Sequence, residues 1–219
     1  MSGSTPPRIV VLASGEGTNL QALIDAESEG GADAPRVAAV FSDRAEARAL
    51  DRARAAGIAA HFIGRAEFAS RAAYEDALAR AIEAERPDAV VLAGFMRVLG
   101  PAFVRRFAGR MINLHPSLLP KYPGLDTHAR VLAAGDELHG ATVHFVTDEL
   151  DAGPPILQYR MRVRRGEPIE SLIARVHAGE HVILPRAAGW LATGRVELRE
   201  GSAWLDGRRL SAPIVVEEE

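Results

Sequence analysis

The sequence contains no cysteine, and this absence excludes several kinds of chemistry at once. A thiolate nucleophile, a disulfide framework and a metal site with cysteine ligands are all ruled out. A chain without disulfides also suits the reducing cytosol, so we expect a cytoplasmic protein.

The sequence also lacks a strong excess of either charge and any long apolar run. Lys and Arg number 26 against 29 Asp and Glu, which gives a net charge of −3 and no electrostatic reason to expect a nucleic acid partner. The most apolar stretch, AVVLAGFM, ends after eight residues at Arg97, whereas a membrane helix needs about 20. The N-terminal MSGSTPPR has no apolar core, so we expect neither a signal peptide nor a membrane partner.

What the sequence does contain is an alternation of apolar, β-branched runs with helical patterns. The strands are predicted at 8–13, 36–41, 88–93 and 110–115, with a weaker one at 58–62. The helices are predicted at 19–29, 45–57 and 68–85. This alternation predicts an α/β fold with a doubly wound, mostly parallel sheet. In such sheets ligands bind beyond the carboxyl ends of the strands, where the strand order reverses.

After residue 140 the pattern changes to a C-terminal extension. Strands at 141–146 and 155–164 are joined by an acidic loop, and a long helix follows from Ile169 to a capping Gly194. A closing hairpin with an Asp-Gly turn is predicted last. Because no repeat or linker is visible, we predict one domain over residues 8–210, with flexible ends at 1–7 and 211–219.

The stretch INLHPSLLP places two hydrogen-bonding side chains at the end of a buried strand. Residues two apart in a strand point to the same face, so Asn113 and His115 should project together. Pro116 keeps His115 extended and ends the ladder. The plainer alternative is a core histidine that its neighbours satisfy.

The segment ASGEGTNL follows the first predicted strand and opens the first helix. Gly17 allows close approach of a ligand, and Thr18 and Asn19 can cap a helix whose first amides favour an anion. The third glycine of a dinucleotide fingerprint is replaced by Leu20, and Asp43 is best explained as a turn or cap acid. A monophosphate site is therefore favoured, with a plain tight turn as the alternative.

The segment LAGFMRVLG surrounds a single cation, Arg97, with apolar side chains. An apolar slot with few polar groups suits a flat ring system. The alternative is a buried turn with a solvated arginine.

The segment TDELDAGPP crowds Asp148, Glu149 and Asp151 into the loop after a predicted strand. A carboxylate that reached His115 would orient the imidazole and favour its charged form. The alternatives are a solvated turn and, with weaker support from residue spacing, a metal held by His115, His144 and Asp151.

The run NLHPSLLPKYPGLDTH, together with DELDAGP downstream, resembles the signature of the folate-dependent formyltransferases. SGEGTNLQALIDA, VLAGFMRVL and AWLDGRRL fit the same family, so the resemblance extends from Arg8 to about Leu210. It is fullest to the branch that acts on glycinamide ribonucleotide. The branches that formylate tRNA or hydrolyse formyltetrahydrofolate carry an extra domain, for which we expect no room in this chain.

The resemblance implies an activity and its substrates. A formyl group would pass from the co-substrate 10-formyltetrahydrofolate to the amine of glycinamide ribonucleotide, a step of purine synthesis that leads to IMP. Hydrolysis of formyltetrahydrofolate is the alternative. The resemblance further implies small-molecule substrates, no metal, and a monomer or homodimer.

The resemblance also implies roles for matched positions. The catalytic set would be Asn113, His115 and Asp151. The ribonucleotide would be bound by Gly17, Thr18, Asn19 and Glu180. The folate would be bound by Arg71, Met96, Arg97, Val98, Leu99, Asn113, Thr147, Asp148, Glu149, Leu150 and Asp151. No role follows for Lys121, Asp126, His128 or His144, and Asp126 stands where some relatives have histidine.

Overall fold

The structure is a computed structural model that describes residues 6–31 and 34–218. The predicted flexible N-terminal end lies outside the described residues up to residue 5, as does residue 219. Within the described ranges, no helix combines the length and apolar character needed to cross a membrane.

Strands and helices alternate along the first half of the chain, as predicted. The strands are β1 (Arg8–Leu12), β2 (Arg36–Ser42), β3 (Ala59–Phe62), β4 (Ala89–Leu92), β5 (Met111–His115), β6 (Leu138–Phe145), β7 (Pro155–Arg162), β8 (Val196–Arg199), β9 (Ser202–Leu205), β10 (Arg208–Arg209) and β11 (Ile214–Glu217). The helices are α1 (Thr18–Glu29), α2 (Arg48–Ala55), α3 (Arg71–Ala84), α4 (Pro101–Arg106), α5 (Thr127–Ala134) and α6 (Ile169–Ala192).

The main sheet has the strand order β11-β7-β6-β5-β4-β1-β2-β3. Strands β1 to β5 are parallel, β6 is antiparallel to β5 and β7, and β11 is parallel to β7. The order reverses between β1 and β4, which confirms the predicted doubly wound sheet. The segments that follow β1 and β4 therefore flank the crevice in which such sheets bind ligands.

Two apolar layers cover the sheet because the buried strands are apolar on both faces. In β1, Ile9 and Val11 join the layer formed with α1, α2 and α6. Val10 and Leu12 point the other way and join the layer formed with α3 and α4. This alternation has the two-residue period of a strand. Each such side chain contributes roughly 1.5–3 kcal/mol when fully buried.

Close packing of α6 on β7 depends on a residue without a side chain. A Cβ atom on Gly179 would lie 1.9 Å from Cδ1 of Tyr159, so any other residue here would push the helix away from the strand. The next residue, Glu180, is consequently held in the buried seam between α6 and α1.

The C-terminal extension agrees with the prediction in its hairpin and differs at its end. Strands β8, β9 and β10 form a small antiparallel sheet. Its β9–β10 turn has positive φ at both Asp206 and Gly207, the geometry that favours Asp-Gly.

The prediction of a flexible segment over 211–219 is wrong for β11, which extends the main sheet beside β7. Opposite charges hold it there, because Arg160 donates to Glu217 and Arg175 donates to Glu218.

Candidate active site

Asn113 and His115 leave the same face at the end of β5, as the two-residue period predicts. His115 is the last residue of the strand and is buried. The antiparallel neighbour β6 places His144 directly opposite Asn113. Nδ2 of Asn113 lies 3.2 Å from Nε2 of His144, so the strand pairing itself creates the first polar contact of the site.

His144 is a neutral imidazole with a defined tautomer. Burial lowers its pKa to about 4, and Nδ1 lies 2.8 Å from the carbonyl oxygen of Phe145, to which it donates. Nε2 is then an acceptor for the amide of Asn113. This contact orients the amide and leaves the second hydrogen on Nδ2 for another acceptor. Since both ring nitrogens of His144 are engaged by protein groups, this geometry does not support the metal alternative.

Asp151 completes a continuous cluster with the two histidines. Its Oδ2 lies 3.4 Å from Nδ1 of His115 and its Oδ1 lies 3.8 Å from Nε2 of His144. The amide of Gly124 donates to Oδ2 at 2.8 Å. Nε2 of His115 donates to the carbonyl oxygen of Tyr122, also at 2.8 Å. Each nitrogen of His115 thus faces an acceptor, which fixes the orientation of the ring.

The acidic loop reaches this cluster by turning back. Because β6 is antiparallel to β5, its last residue, Phe145, lies opposite Ile112 rather than near His115. The loop must return along the sheet, and Asp151 adopts a left-handed φ of 52° there. Its side chain is only 6% exposed. Its neighbours Thr147, Asp148, Glu149 and Leu150 are partly or fully exposed, so Asp151 is the carboxylate that enters the cluster.

The glycine-rich segment after β1 ends at an uncapped helix N-terminus. Gly17 is the N-cap residue of α1, with φ 72° and no side-chain hydrogen bond to the first turn. The prediction that Thr18 or Asn19 caps the helix is therefore wrong. The uncapped amides of the first turn favour an anion. Gly17 is also required by packing, because a Cβ atom would lie 2.7 Å from Cα of Ala49.

Asn19 and Glu180 connect α1 to α6 beside this helix terminus. Nδ2 of Asn19 donates to Oε2 of Glu180 at 2.9 Å. Desolvation raises the pKa of Glu180. The two residues are 161 positions apart, so the predicted set that includes Gly17, Thr18, Asn19 and Glu180 is brought together by the fold.

Arg71 is joined to the segment after β4, although they are distant in sequence. It is the first residue of α3, and its Nη2 donates to the carbonyl oxygen of Val98 at 2.7 Å. Its Nε donates to Glu75 at 2.7 Å, and the amide of Gly100 donates to the same carboxylate oxygen. Met96 and Val98 are 63% and 62% exposed whereas Leu99 is buried, so this segment presents an apolar surface next to a fixed arginine.

Asp43 links the segments after β1 and β4. Its side chain is 4% exposed and accepts from Nε of Arg97 at 2.6 Å. Its other oxygen accepts from the hydroxyl of Ser14 at 2.6 Å. That hydroxyl in turn accepts from the amide of Met96 at 2.9 Å. The interpretation of Asp43 as a turn or cap acid is thus wrong, because it is a buried partner of Ser14 and Arg97.

Sequence reasoning missed the residues that orient the predicted ones. His144 had a signal, since it shares a strand face with Thr142, but only the β5–β6 register shows that it meets Asn113. Tyr122 and Gly124 contribute a carbonyl oxygen and a main-chain amide, which every residue type other than proline carries, so the residue types carry no signal for them. Glu75 resembles any acid on an exposed helix, and its role depends on where the loop before α4 passes.

The buried histidines predict a loss of stability in mild acid. Burial lowers the pKa of both His139 and His144 to about 4, below the unfolded value of about 6.5. The unfolded chain therefore binds protons more readily, and stability that is present above about pH 6.5 declines as the pH falls toward 4. We expect each histidine to account for a loss on the order of 2–3 kcal/mol in urea unfolding.

The matched variant for this prediction is His139→Gln. An amide can keep the 2.9 Å contact with Nδ1 of His128 but cannot titrate in this range. Its unfolding free energy should decline less steeply than that of the unaltered protein between pH 6.5 and 4.5. Parallel curves would contradict the prediction.

Comparison with known proteins agrees with the signature. The family model described as formyl transferase matches residues 7–188. The phosphoribosylglycinamide formyltransferase of Escherichia coli K12 is 54% identical over 202 residues, which are 92% of this chain and 95% of that protein. The protein of the same name from Haemophilus influenzae is 42% identical over 203 residues, with 93% and 95% covered.

Solved structures agree with the fold. The structure of a phosphoribosylglycinamide formyltransferase from Coxiella burnetii is 49% identical and has a TM-score of 0.91. The alignment covers 96% of this chain and all of that one. The resemblance seen in the sequence is confirmed, and this chain belongs to the formyl transferase family.

Proposed function

We propose that this chain transfers the formyl group of 10-formyltetrahydrofolate to the amine of glycinamide ribonucleotide, giving formylglycinamide ribonucleotide and tetrahydrofolate in purine synthesis. The observation that carries the proposal is the cluster of Asn113, His144, Asp151 and His115 at the end of β5. It lies in a chain 54% identical to a phosphoribosylglycinamide formyltransferase.

The reaction needs stabilisation of an oxyanion and movement of one proton. The neutral amine attacks the formyl carbon, and negative charge develops on the formyl oxygen. Asn113 offers the hydrogen on Nδ2 that His144 does not use. We assign His115 a supporting role beside the formyl oxygen, with its ring held by the Tyr122 carbonyl oxygen and Asp151. Removing one such donor typically costs ~10²–10³ in rate.

Asp151 acts on this step through charge and position. Its carboxylate lies 3.4 Å from Nδ1 of His115 and so orients the imidazole. When the intermediate collapses, the carbon–nitrogen bond to the folate breaks, the amine loses a proton and the folate nitrogen gains one. Asp151 is placed to relay this proton through a water molecule. No covalent enzyme intermediate is needed, which agrees with a chain that contains no cysteine.

The two substrates would occupy the two sides of the crevice. The phosphate of the ribonucleotide fits the uncapped N-terminus of α1 at Gly17, Thr18 and Asn19, with Glu180 beside its sugar. The folate ring would lie against the apolar segment of Met96, Arg97, Val98 and Leu99. Arg71 and the loop of Thr147, Asp148, Glu149, Leu150 and Asp151 would complete the folate site.

The proposal also covers domain extent, location and assembly. We assign the activity to one domain that begins at residue 8 and includes β11, beyond the predicted limit of residue 210, because β11 belongs to the main sheet. We propose that it acts on small molecules in the cytoplasm as a monomer or homodimer, with the absence of cysteine and the low net charge as supports.

The first test concerns the acceptor. The protein should release tetrahydrofolate from 10-formyltetrahydrofolate only when glycinamide ribonucleotide is present, because the attacking atom is the amine nitrogen. Absorbance of the folate product reports the release, and mass spectrometry reports the formylated ribonucleotide. Equal release without an acceptor would identify a hydrolase instead, and formylation of charged initiator tRNA would identify the third branch of the family.

The second test concerns the anion site at α1. Gly17→Val should raise the KM for the ribonucleotide several times more than the KM for the folate, because the side chain displaces the backbone amides. Gly30→Val is the matched control. Gly30 also has a left-handed φ, 71°, at the other end of α1, and a Cβ atom there would meet nothing within 4 Å. A change confined to the folate KM would show that the segment serves the other ligand.

The third test concerns Asp151. Asp151→Asn should keep the fold and bind both substrates, since an amide oxygen can still accept from Gly124. It should lose on the order of 10²-fold or more in kcat, because an amide beside His115 carries no negative charge and cannot relay a proton.

The matched control for that variant is Asp206→Asn, which makes the same substitution at nearly the same left-handed φ, 49° against 52°. His115→Ala should cost a factor comparable to that of Asp151→Asn. The double variant should cost far less than the product, because the two residues act as a unit. A folded Asp151→Asn variant with nearly full turnover would contradict the assignment.

A further inference from the structure

Two main-chain atoms of the β5–α5 loop, residues 116–126, contact the catalytic pair. The carbonyl oxygen of Tyr122 accepts from Nε2 of His115, and the amide of Gly124 donates to Asp151. Small movements of this loop would therefore shift both groups with respect to the reacting carbon. What fixes the loop is consequently part of the catalytic geometry.

The loop backbone is strained at the contact itself. Tyr122 has a φ of 56°, the left-handed region that residues with a side chain seldom occupy. Such a conformation persists only where the surroundings over-determine it. The hydroxyl of Ser117 donates to the carbonyl oxygens of Lys121 and Tyr122, which holds the main chain from one side.

The side chains of Lys121 and Tyr122 share one carboxylate, and Arg130 also contacts the loop, over the Tyr122 ring and at the Pro123 carbonyl oxygen. Oδ2 of Asp136 accepts from Nζ of Lys121 at 2.8 Å and from the hydroxyl of Tyr122 at 3.1 Å. Asp136 lies between α5 and β6, 14 positions beyond Tyr122. The hydrogen bond with Lys121 is the main cause that lowers the pKa of Asp136, so the carboxylate is charged at neutral pH.

We propose that Asp136 is a positioning residue for the transfer reaction, acting through Tyr122 and Lys121 to hold the Tyr122 carbonyl oxygen against His115. Asp136 does not contact the cluster itself, but it accepts a hydrogen bond from the side chain of Tyr122, whose carbonyl oxygen contacts the imidazole. Without this hydrogen bond, Tyr122 can relax toward an ordinary φ, and its carbonyl oxygen moves away from Nε2 of His115. The proposal rests on the proposed function and adds a residue to it.

Global stability should be insensitive to this contact. Lys121 is 64% exposed and the Asp136 side chain 21%, and exposed ion pairs contribute little to folding. The binding segments after β1 and β4 make no described contact with Asp136. The effect should therefore fall on kcat, with both KM values and the unfolding midpoint nearly unchanged.

The experiment compares steady-state kinetics of Asp136→Ala, Asp136→Asn and Tyr122→Phe with those of the unaltered protein. We expect Asp136→Ala to lower kcat about 10-fold or more, because misplacement of catalytic groups by ~1 Å is costly. Asp136→Asn should fall less, since its amide oxygen still accepts from Tyr122. The double variant Tyr122→Phe/Asp136→Ala should be no slower than Asp136→Ala, because both substitutions remove the same hydrogen bond between Tyr122 and Asp136.

Asp206→Ala is the matched control, since Asp206 likewise accepts from a cationic side chain, that of Arg195, far along the chain in the β9–β10 turn. It should keep kcat. A kcat of Asp136→Ala equal to that of Asp206→Ala would overturn the proposal, and so would a rise in KM at unchanged kcat. Should Asp136→Ala fail to fold, Tyr122→Phe decides alone, with reduced kcat supporting the proposal and unchanged kcat overturning it. Absence of acceptor-dependent turnover in the unaltered protein would instead refute the proposed function.

Discussion

In the antiparallel ladder between β5 and β6, Asn113 lies opposite His144 and His115 lies opposite Thr142. The site depends on this register. A shift of one residue would turn His144 to the other face of the sheet, away from Asn113. Because β6 runs antiparallel to β5, it ends opposite the beginning of β5, at Ile112. The acidic loop must therefore return along the sheet before Asp151 can contact His115. One strand pairing therefore determines both the orientation of the amide and the path of the carboxylate.

Two imidazoles on neighbouring strands, His144 and His115, have different surroundings. His144 is enclosed, its pKa is lowered to about 4 by burial, and its two nitrogens serve one donor and one acceptor. His115 has an acceptor at each nitrogen, the Tyr122 carbonyl oxygen and Asp151. The neutral ring of His144 orients the amide of Asn113, whereas the ring of His115 is held between two acceptors. Their different surroundings thus give two like side chains different parts in one cluster.

Local patterns in the sequence predicted most strands and the helices α1, α2, α3 and α6 but gave no range for α4 or α5, and contacts between distant segments remained hidden. The two-residue period placed Asn113 and His115 on one face, and Asp206-Gly207 predicted its turn, because both features depend on neighbours in sequence. Strand β11 was missed because an edge strand depends on the partner it meets, here β7. The role of Asp43 depends on three segments coming together at the crevice, so no spacing rule could have shown it. Contacts made by main-chain atoms, such as the carbonyl oxygen of Tyr122, do not depend on residue type and therefore cannot be predicted from it.

Several contacts that the sequence did not predict meet at the crevice between β1 and β4. The strand reversal puts the uncapped N-terminus of α1 on one side and an apolar segment on the other, and Ser14 joins the two sides by hydrogen bonds with Gly94 and Met96. Asp43 strengthens this link from the segment after β2, because its buried carboxylate accepts from Ser14 on the first side and from Arg97 on the second. A transfer reaction between two bound molecules needs the donor carbon and the acceptor nitrogen at near-contact distance. In the proposed reaction, the hydrogen bonds through Ser14 and Asp43 would set that distance before either substrate binds.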